Sequence, residues 1–152
     1  MPPLKILVRG SEQSLLVLRG DAVVAAFPVS TSRFGFGSEG GSRRTPTGRF
    51  RICEKIGAEM PAKTVFKGRR PLAEECVDWR TDPDLITSRI LWLEGLDSSN
   101  ANTRDRYIYI HGTNQEHLIG EPASHGCVRM RNADVIELFD LVLTGTEVEI
   151  LS

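Results

Sequence analysis

The chain has 152 residues, 19 Lys and Arg against 20 Asp and Glu, a formal net charge of −1 and three cysteines. That length fits one domain, residues 1–152, able to bury roughly 68–70% of its unfolded surface. The balanced charge, with no sustained basic tract, argues against nucleic-acid binding, and no apolar run reaches the about 18–20 residues of a membrane-spanning helix.

Taken in chain order, the first third reads as strands. Residues 4–8, 14–18 and 23–29 are short β-rich runs, broken at Gly10-Ser11 and Gly20-Asp21 as hairpin turns would be. Residues 30–48 are rich in Gly, Ser and Thr and read as loop. Residues 50–53 alternate apolar and charged, as a half-buried strand does. Residues 54–89 look irregular: Pro61, Pro71 and Pro83 interrupt any long element, while Lys63, Lys67, Arg69 and Arg70 cluster. Two readings stand for this stretch, a solvated surface excursion or a lid whose basic groups attract an anionic substrate.

Residues 90–93 and 107–110 read as further strands, the second delivering His111 at its C-terminal end. The clearest helix runs from 133 to about 143. Asn132 is a suitable N-cap, and Val135, Leu138, Phe139 and Val142 recur at i, i+3, i+4 and i+7 to form one apolar face. Gly145 follows the helix, and residues 147–151 return as a closing strand.

Chemistry concentrates in Ile110-His111-Gly112-Thr113-Asn114 and Ser124-His125-Gly126-Cys127-Val128-Arg129. A free thiol titrates near about 8.5, so at neutral pH it is mostly unreactive. It needs a neighbour to take its proton, usually histidine. Cys127 lies 16 residues after His111 and two after His125, with Gly112 and Gly126 allowing close backbone approach. Cys53 and Cys76 have no such company and read as small buried side chains. Three cysteines at unrelated positions suggest no disulfide framework. A zinc site built from His111, His125 and Cys127 is the competing chemistry, but neither CxxC nor HExxH spacing is present. The glycines of 35–41 make no phosphate-binding fingerprint, and Trp79 and Trp92 receive no role.

These same residues resemble the L,D-transpeptidase (YkuD-type) domain family. The resemblance includes His111-Gly112-Thr113, Ser124-His125-Gly126-Cys127 with Val128-Arg129, the upstream Val29-Ser30-Thr31 and Thr45-Pro46-Thr47-Gly48, and the helical run from Met130 to Phe139. It implies a mainly β fold, a mixed sandwich-like or barrel-like sheet with one or two short helices. It also implies a capping segment within 54–89 and no cofactor or metal. Cys127 would be the nucleophile and His111 the base, its second ring nitrogen held by the Gly112 carbonyl. His125 lines the site and is the second candidate for the base, while Ser124 stabilises the turn.

Gly126 and Cys127 would offer backbone N–H groups to an oxyanion. Arg129 is placed to grip a substrate carboxylate or, alternatively, to anchor its loop through an ordinary salt bridge. Thr113 and Asn114 are expected to brace the His111 turn and to border the bound substrate.

The implied reaction cleaves a peptidoglycan stem peptide between its third residue (diaminopimelate or lysine) and the terminal D-alanine, through a Cys127 thioester. Water as acceptor makes an L,D-carboxypeptidase of muropeptide recycling. An amine makes a transpeptidase that forms 3→3 cross-links or attaches other molecules to the wall. A non-catalytic peptidoglycan-binding or zinc-binding module is the alternative of another class, with less reason to carry an activated thiol. Met1-Pro2-Pro3 leads directly into the first strand with no export-signal pattern. If Met1 begins the natural chain, a cytoplasmic protein and the hydrolytic reading are expected; a preceding leader would place the domain against the wall.

Overall fold

The computed structural model describes residues 2–73 and 77–152; Cys76 lies outside them. Three antiparallel strands open the fold: β1 (Leu4–Arg9), β2 (Ser14–Arg19) and β3 (Ala22–Pro28). Residues 30–47 cross to β4 (Gly48–Ile56), followed by the short pair β5 (Val65–Lys67) and β6 (Arg70–Pro71). After these come β7 (Ile86–Gly95), β8 (Tyr109–Gly112), β9 (Val128–Met130), helix α1 (Asn132–Leu141) and β10 (Glu147–Leu151). Among the described residues these strands form one mixed sheet in the order β3-β2-β1-β10-β4-β7-β5-β6, with β8 paired to β7 and β9 paired to β8. Among the strand pairs of the described residues, β1–β10 and β8–β9 run parallel and the others antiparallel. This is the mainly β architecture with one helix that the sequence suggested. No helix among the described residues is long and apolar enough to cross a membrane.

The alternation of side chains across a strand divides the interior into two parts. Phe50, Ile52, Leu91, Leu93, Ile110, Val128 and Met130 join Ile6, Val17, Val148 and the inner face of α1 in the larger core. Their neighbours Ile90, Trp92 and Tyr109 turn to the opposite face and pack with Phe66 in a smaller cluster, where Cys53, Met60 and Cys127 also lie. The thiol therefore sits on the face that the large core does not use.

Four expectations need correction. The 54–89 stretch is not irregular throughout. It completes β4, adds the β5–β6 hairpin to the edge of β7, and begins β7 at Ile86. The prolines only obscured a pattern that sheet pairing supplies. β8 starts two residues later than predicted, because Tyr107 takes a left-handed backbone (φ 56°) that closes the preceding turn. His111 consequently lies inside β8 and not past its end. Asn132 does not cap α1: Arg131 holds the N-cap position, and the Asn132 side chain is turned inward. The helix ends at Leu141, although Val142 remains buried.

Candidate active site

The parallel pairing of β8 and β9 aligns Ile110 with Val128 and His111 with Arg129. Ile110 and Val128 both face the large core. Alternation then puts Tyr109 and His111 on the opposite face of β8, with Cys127 and Arg129 on that face of the entry to β9. Two histidine and cysteine positions separated in sequence thus become neighbours through one strand ladder.

His111 is almost fully buried, and its Nδ1 lies 2.6 Å from the Gly112 carbonyl oxygen. A carbonyl only accepts, so Nδ1 carries the proton and Nε2 is left with its lone pair. Burial pushes the His111 pKa below its ordinary value of 6.5, against the opposing attraction of Asp84 and the Gly112 hydrogen bond. Gly112 is confined by its surroundings. A Cβ there would stand 2.5 Å from the Thr87 carbonyl and 2.8 Å from Asn132 Oδ1. Gly112→Ala is therefore expected to destabilise the fold by about 1–3 kcal/mol, a melting-temperature loss of roughly 2–12 °C. A melt that matched wild type would show that β8 has slack at this point.

The turn before Cys127 is braced from two sides. Ser124 Oγ donates to the Cys127 carbonyl at 2.6 Å and accepts from the Gly126 N–H at 3.3 Å. Gly126 has φ +127°, and a Cβ there would meet nothing nearer than 3.6 Å, so the glycine serves conformation more than space. The 30–48 loop supplies the second brace. Thr45 Oγ1 donates to the Gly126 carbonyl at 3.0 Å and accepts from the Ser32 N–H at 2.9 Å, while the Ser124 carbonyl accepts from the Arg33 N–H at 3.0 Å. Reading the sequence assigned no role to Ser32 or Thr45. Their only sign was membership of the Ser/Thr-rich and Thr-Pro-Thr-Gly stretches. The Gly126 N–H, expected to face an oxyanion, points instead to Ser124 Oγ.

Cys127 is half-buried, and its Sγ accepts from the Tyr109 N–H at 3.3 Å. Burial pushes the thiol up to about 12, and the Asp84 charge adds to this, against lowering by the Tyr109 N–H and the positive charges of Arg129 and Arg106. Both shifts favour the neutral forms, thiol at Cys127 and imidazole at His111.

Asp84, in a segment the sequence left without assignment, is the main addition. Its backbone is left-handed (φ 48°). Its carboxylate lies 3.0 Å from His125 Nδ1 and 2.6 Å from Arg129 Nη2. Burial alone would raise its pKa; the charges of His111 and Arg129, with hydrogen bonds from His125 and Arg129, outweigh burial and hold it below the usual range. No local pattern announces Asp84, because its partners are 41 and 45 residues away.

Three residues expected near the substrate have partners within the protein itself. Arg129 is 1% exposed, and its guanidinium is occupied by Asp84 and by Gln115 Oε1 at 3.0 Å. This is the loop-anchoring salt bridge, not a free grip for a substrate. Asn114 donates to the Trp79 and Asp82 carbonyls and accepts from the Leu85 N–H, tying down the bend that carries Asp84. Thr113 is fully buried; its hydroxyl accepts from the Gln115 N–H and its carbonyl from Asn132 Nδ2. His125, by contrast, remains exposed, with its ring centroid 6.1 Å from that of Phe34.

Similarity to known proteins converges on one family. A family model described as YkuD, L,D-transpeptidase catalytic domain, matches residues 3–150. YqjB of Bacillus subtilis, whose name places it among the L,D-transpeptidases, is 43% identical over 144 residues, covering 94% of this chain and 68% of that protein. The crystal structure of an L,D-transpeptidase from Xylanimonas cellulosilytica superposes with a TM-score of 0.65 at 20% identity, covering 98% of this chain and 60% of that one. L,D-transpeptidase 3 from Mycobacterium tuberculosis, in complex with a faropenem-derived adduct, gives 0.63 at 16% identity, covering 99% and 61%. The chain spans about three fifths of each of these solved chains. The two structures share the fold, and the family match runs through every strand from β1 to the end of β10's core residues. This chain belongs to the L,D-transpeptidase catalytic domain family of the YkuD type.

Proposed function

We propose that the protein transfers an acyl group from a peptidoglycan stem peptide through a thioester on Cys127. The observation that carries this reading is the fixed tautomer of His111: with Nδ1 tied to the Gly112 carbonyl, Nε2 is available as a base on the face that holds the thiol. As sulfur attacks the carbonyl carbon of the third stem residue, its proton passes to Nε2. The Cys127 N–H then meets the oxyanion, an aligned donor being worth about 2.7–4 kcal/mol of barrier. The C–N bond breaks, and the departing D-alanine amine takes the proton from the imidazolium. Water, which reaches the exposed edge of Cys127, gives a proton to His111 and attacks the thioester. A trimmed peptide leaves and the thiol is restored.

The segment between β4 and β7 acts as a partial cover in this reading. Phe66 belongs to the cluster against which both Met60 and Cys127 pack, and Asp84 ties the end of the segment to the Arg129 strand.

Incubation with a tetrapeptide muropeptide, with and without an amine donor, tests the proposal by product mass. Trimmed tripeptide and D-alanine are expected, with a minor share captured by the amine. A carbapenem is expected to add its mass once, at Cys127. No D-alanine release, or an adduct at Cys53 or Cys76, overturns the assignment. Predominance of cross-linked dimers reverses only the choice of water over amine.

A further inference from the structure

Five arginines border the approach to Cys127. Arg33 lines a cavity of about 530 Å³ together with His125 and Arg129. The Arg44 backbone carbonyl lies 3.6 Å from where a side chain on Gly126 would begin, and the Arg44 side chain runs alongside Gly37, where a Cβ would stand 3.0 Å from Arg44 Cδ. That same carbonyl accepts from Arg106 Nη2 at 2.7 Å, which joins the two arginine-bearing loops. Arg69 and Arg104 stack at 4.8 and 5.1 Å from the ring centroid of Trp92, which shares its cluster with the thiol.

None of these five makes an ion pair among the described residues, whereas Arg9, Arg49 and Arg51, elsewhere on the sheet, are each paired with a carboxylate. In a chain with a net charge of −1, five guanidinium groups around the residues that flank Cys127 are left without a carboxylate partner. Such charges repel one another, and a cleft lined with them concentrates anions. The stacking also matters. A guanidinium lying over an indole keeps its in-plane N–H edge available, and that edge matches a carboxylate. Arg104 is exposed and makes no side-chain hydrogen bond among the described residues, so its N–H edge has no protein acceptor there.

We infer that this arginine rim recognises the free side carboxylates of the donor peptide, so that the enzyme selects stem peptides in which those groups are not amidated. The inference rests on the acyl-transfer reading of Cys127 and adds a substrate preference to it. It places Arg44 and Arg104 in binding, in the charged role the buried Arg129 does not fill.

Two tetrapeptide donors serve as probes, identical except that the side carboxylates are free in one and amidated in the other. Wild type is expected to show kcat/KM about tenfold or more higher for the free-carboxylate donor, the value of one charge-assisted contact. That ratio should shrink as salt is added. Arg104→Gln and Arg44→Gln are both exposed changes, and each should move the ratio toward one while the melting temperature holds. Equal use of both donors by wild type, with Cys127 still acylated, overturns the inference and leaves the acyl-transfer reading standing. A ratio unchanged in both variants overturns the assignment to these arginines. If neither donor nor a carbapenem acylates Cys127, the underlying reading is removed and the preference falls with it.

Discussion

Cys127→Ala is expected to reduce D-alanine release by at least about 10⁴-fold, because the remaining groups can orient the peptide and polarise its carbonyl but supply no nucleophile. The fold should survive. Only a sulfur is lost from the edge of the small cluster, where Phe66, Ile90, Trp92 and Tyr109 keep their mutual contacts, so the stability change should stay within about 1 kcal/mol. The pairing of result and control is what gives the test its force. Near-wild-type turnover in a folded Cys127→Ala protein would show that the reaction runs elsewhere, and Cys53→Ala, at a half-buried position on β4, should leave most activity.

Loss of the base should come next in size. His111→Gln is expected to lower kcat/KM by about 10²–10⁴-fold, and the shape of the pH profile should change with it. In wild type the reacting pair is a protonated thiol and a neutral imidazole. Burial keeps His111 from taking a proton until the pH falls below its ordinary 6.5, so the acid limb of kcat/KM should lie below that value. The thiol keeps its proton up to about 12, so no alkaline limb should appear at pH 8–9, where an ordinary cysteine titrates. In His111→Gln the only route to a nucleophile is direct ionisation, and the residual rate should climb steadily with pH. A wild-type profile that rises through pH 8–9 would mean that the thiolate forms independently of His111. If His125→Gln instead produced the larger loss and the altered profile, the base would be the exposed histidine.

Much of this was legible in the sequence because it is local. Short alternating runs fixed β1, β2 and β10, since a strand with one buried face must repeat every second residue. The Gly112 carbonyl contact came only through the family resemblance, and the structure has it at 2.6 Å. What escaped is non-local. Asp84 follows a proline in a stretch without periodicity, and acquires meaning only when β7 and β9 bring it to His125 and Arg129. Asn132 has the composition of a helix cap, yet Thr87, Ser88 and the Thr113 carbonyl compete for its amide and win. Arg129 stayed open between two readings for a related reason: a guanidinium suits any carboxylate, and here burial pairs it with one from the protein itself. Tyr107 delayed β8 through a left-handed backbone that an aromatic residue in a β-rich run does not advertise.

The parallel ladder between β8 and β9 has one more consequence. Parallel neighbours cannot be joined by a tight turn and require a long crossover, here the stretch from Thr113 to Cys127. Because backbone ladder bonds set the spacing of histidine and thiol, the outer part of that crossover is free of the task. Glu121 and Pro122 are exposed, and Gly120, whose φ of +105° suits glycine, has open space around it. The architecture separates a fixed catalytic register from an outer bend that can lengthen, shorten or acquire new decoration. Descendants of one ancestral chain can diverge at that bend, gaining different neighbours or acceptors, while inheriting an unaltered chemical centre.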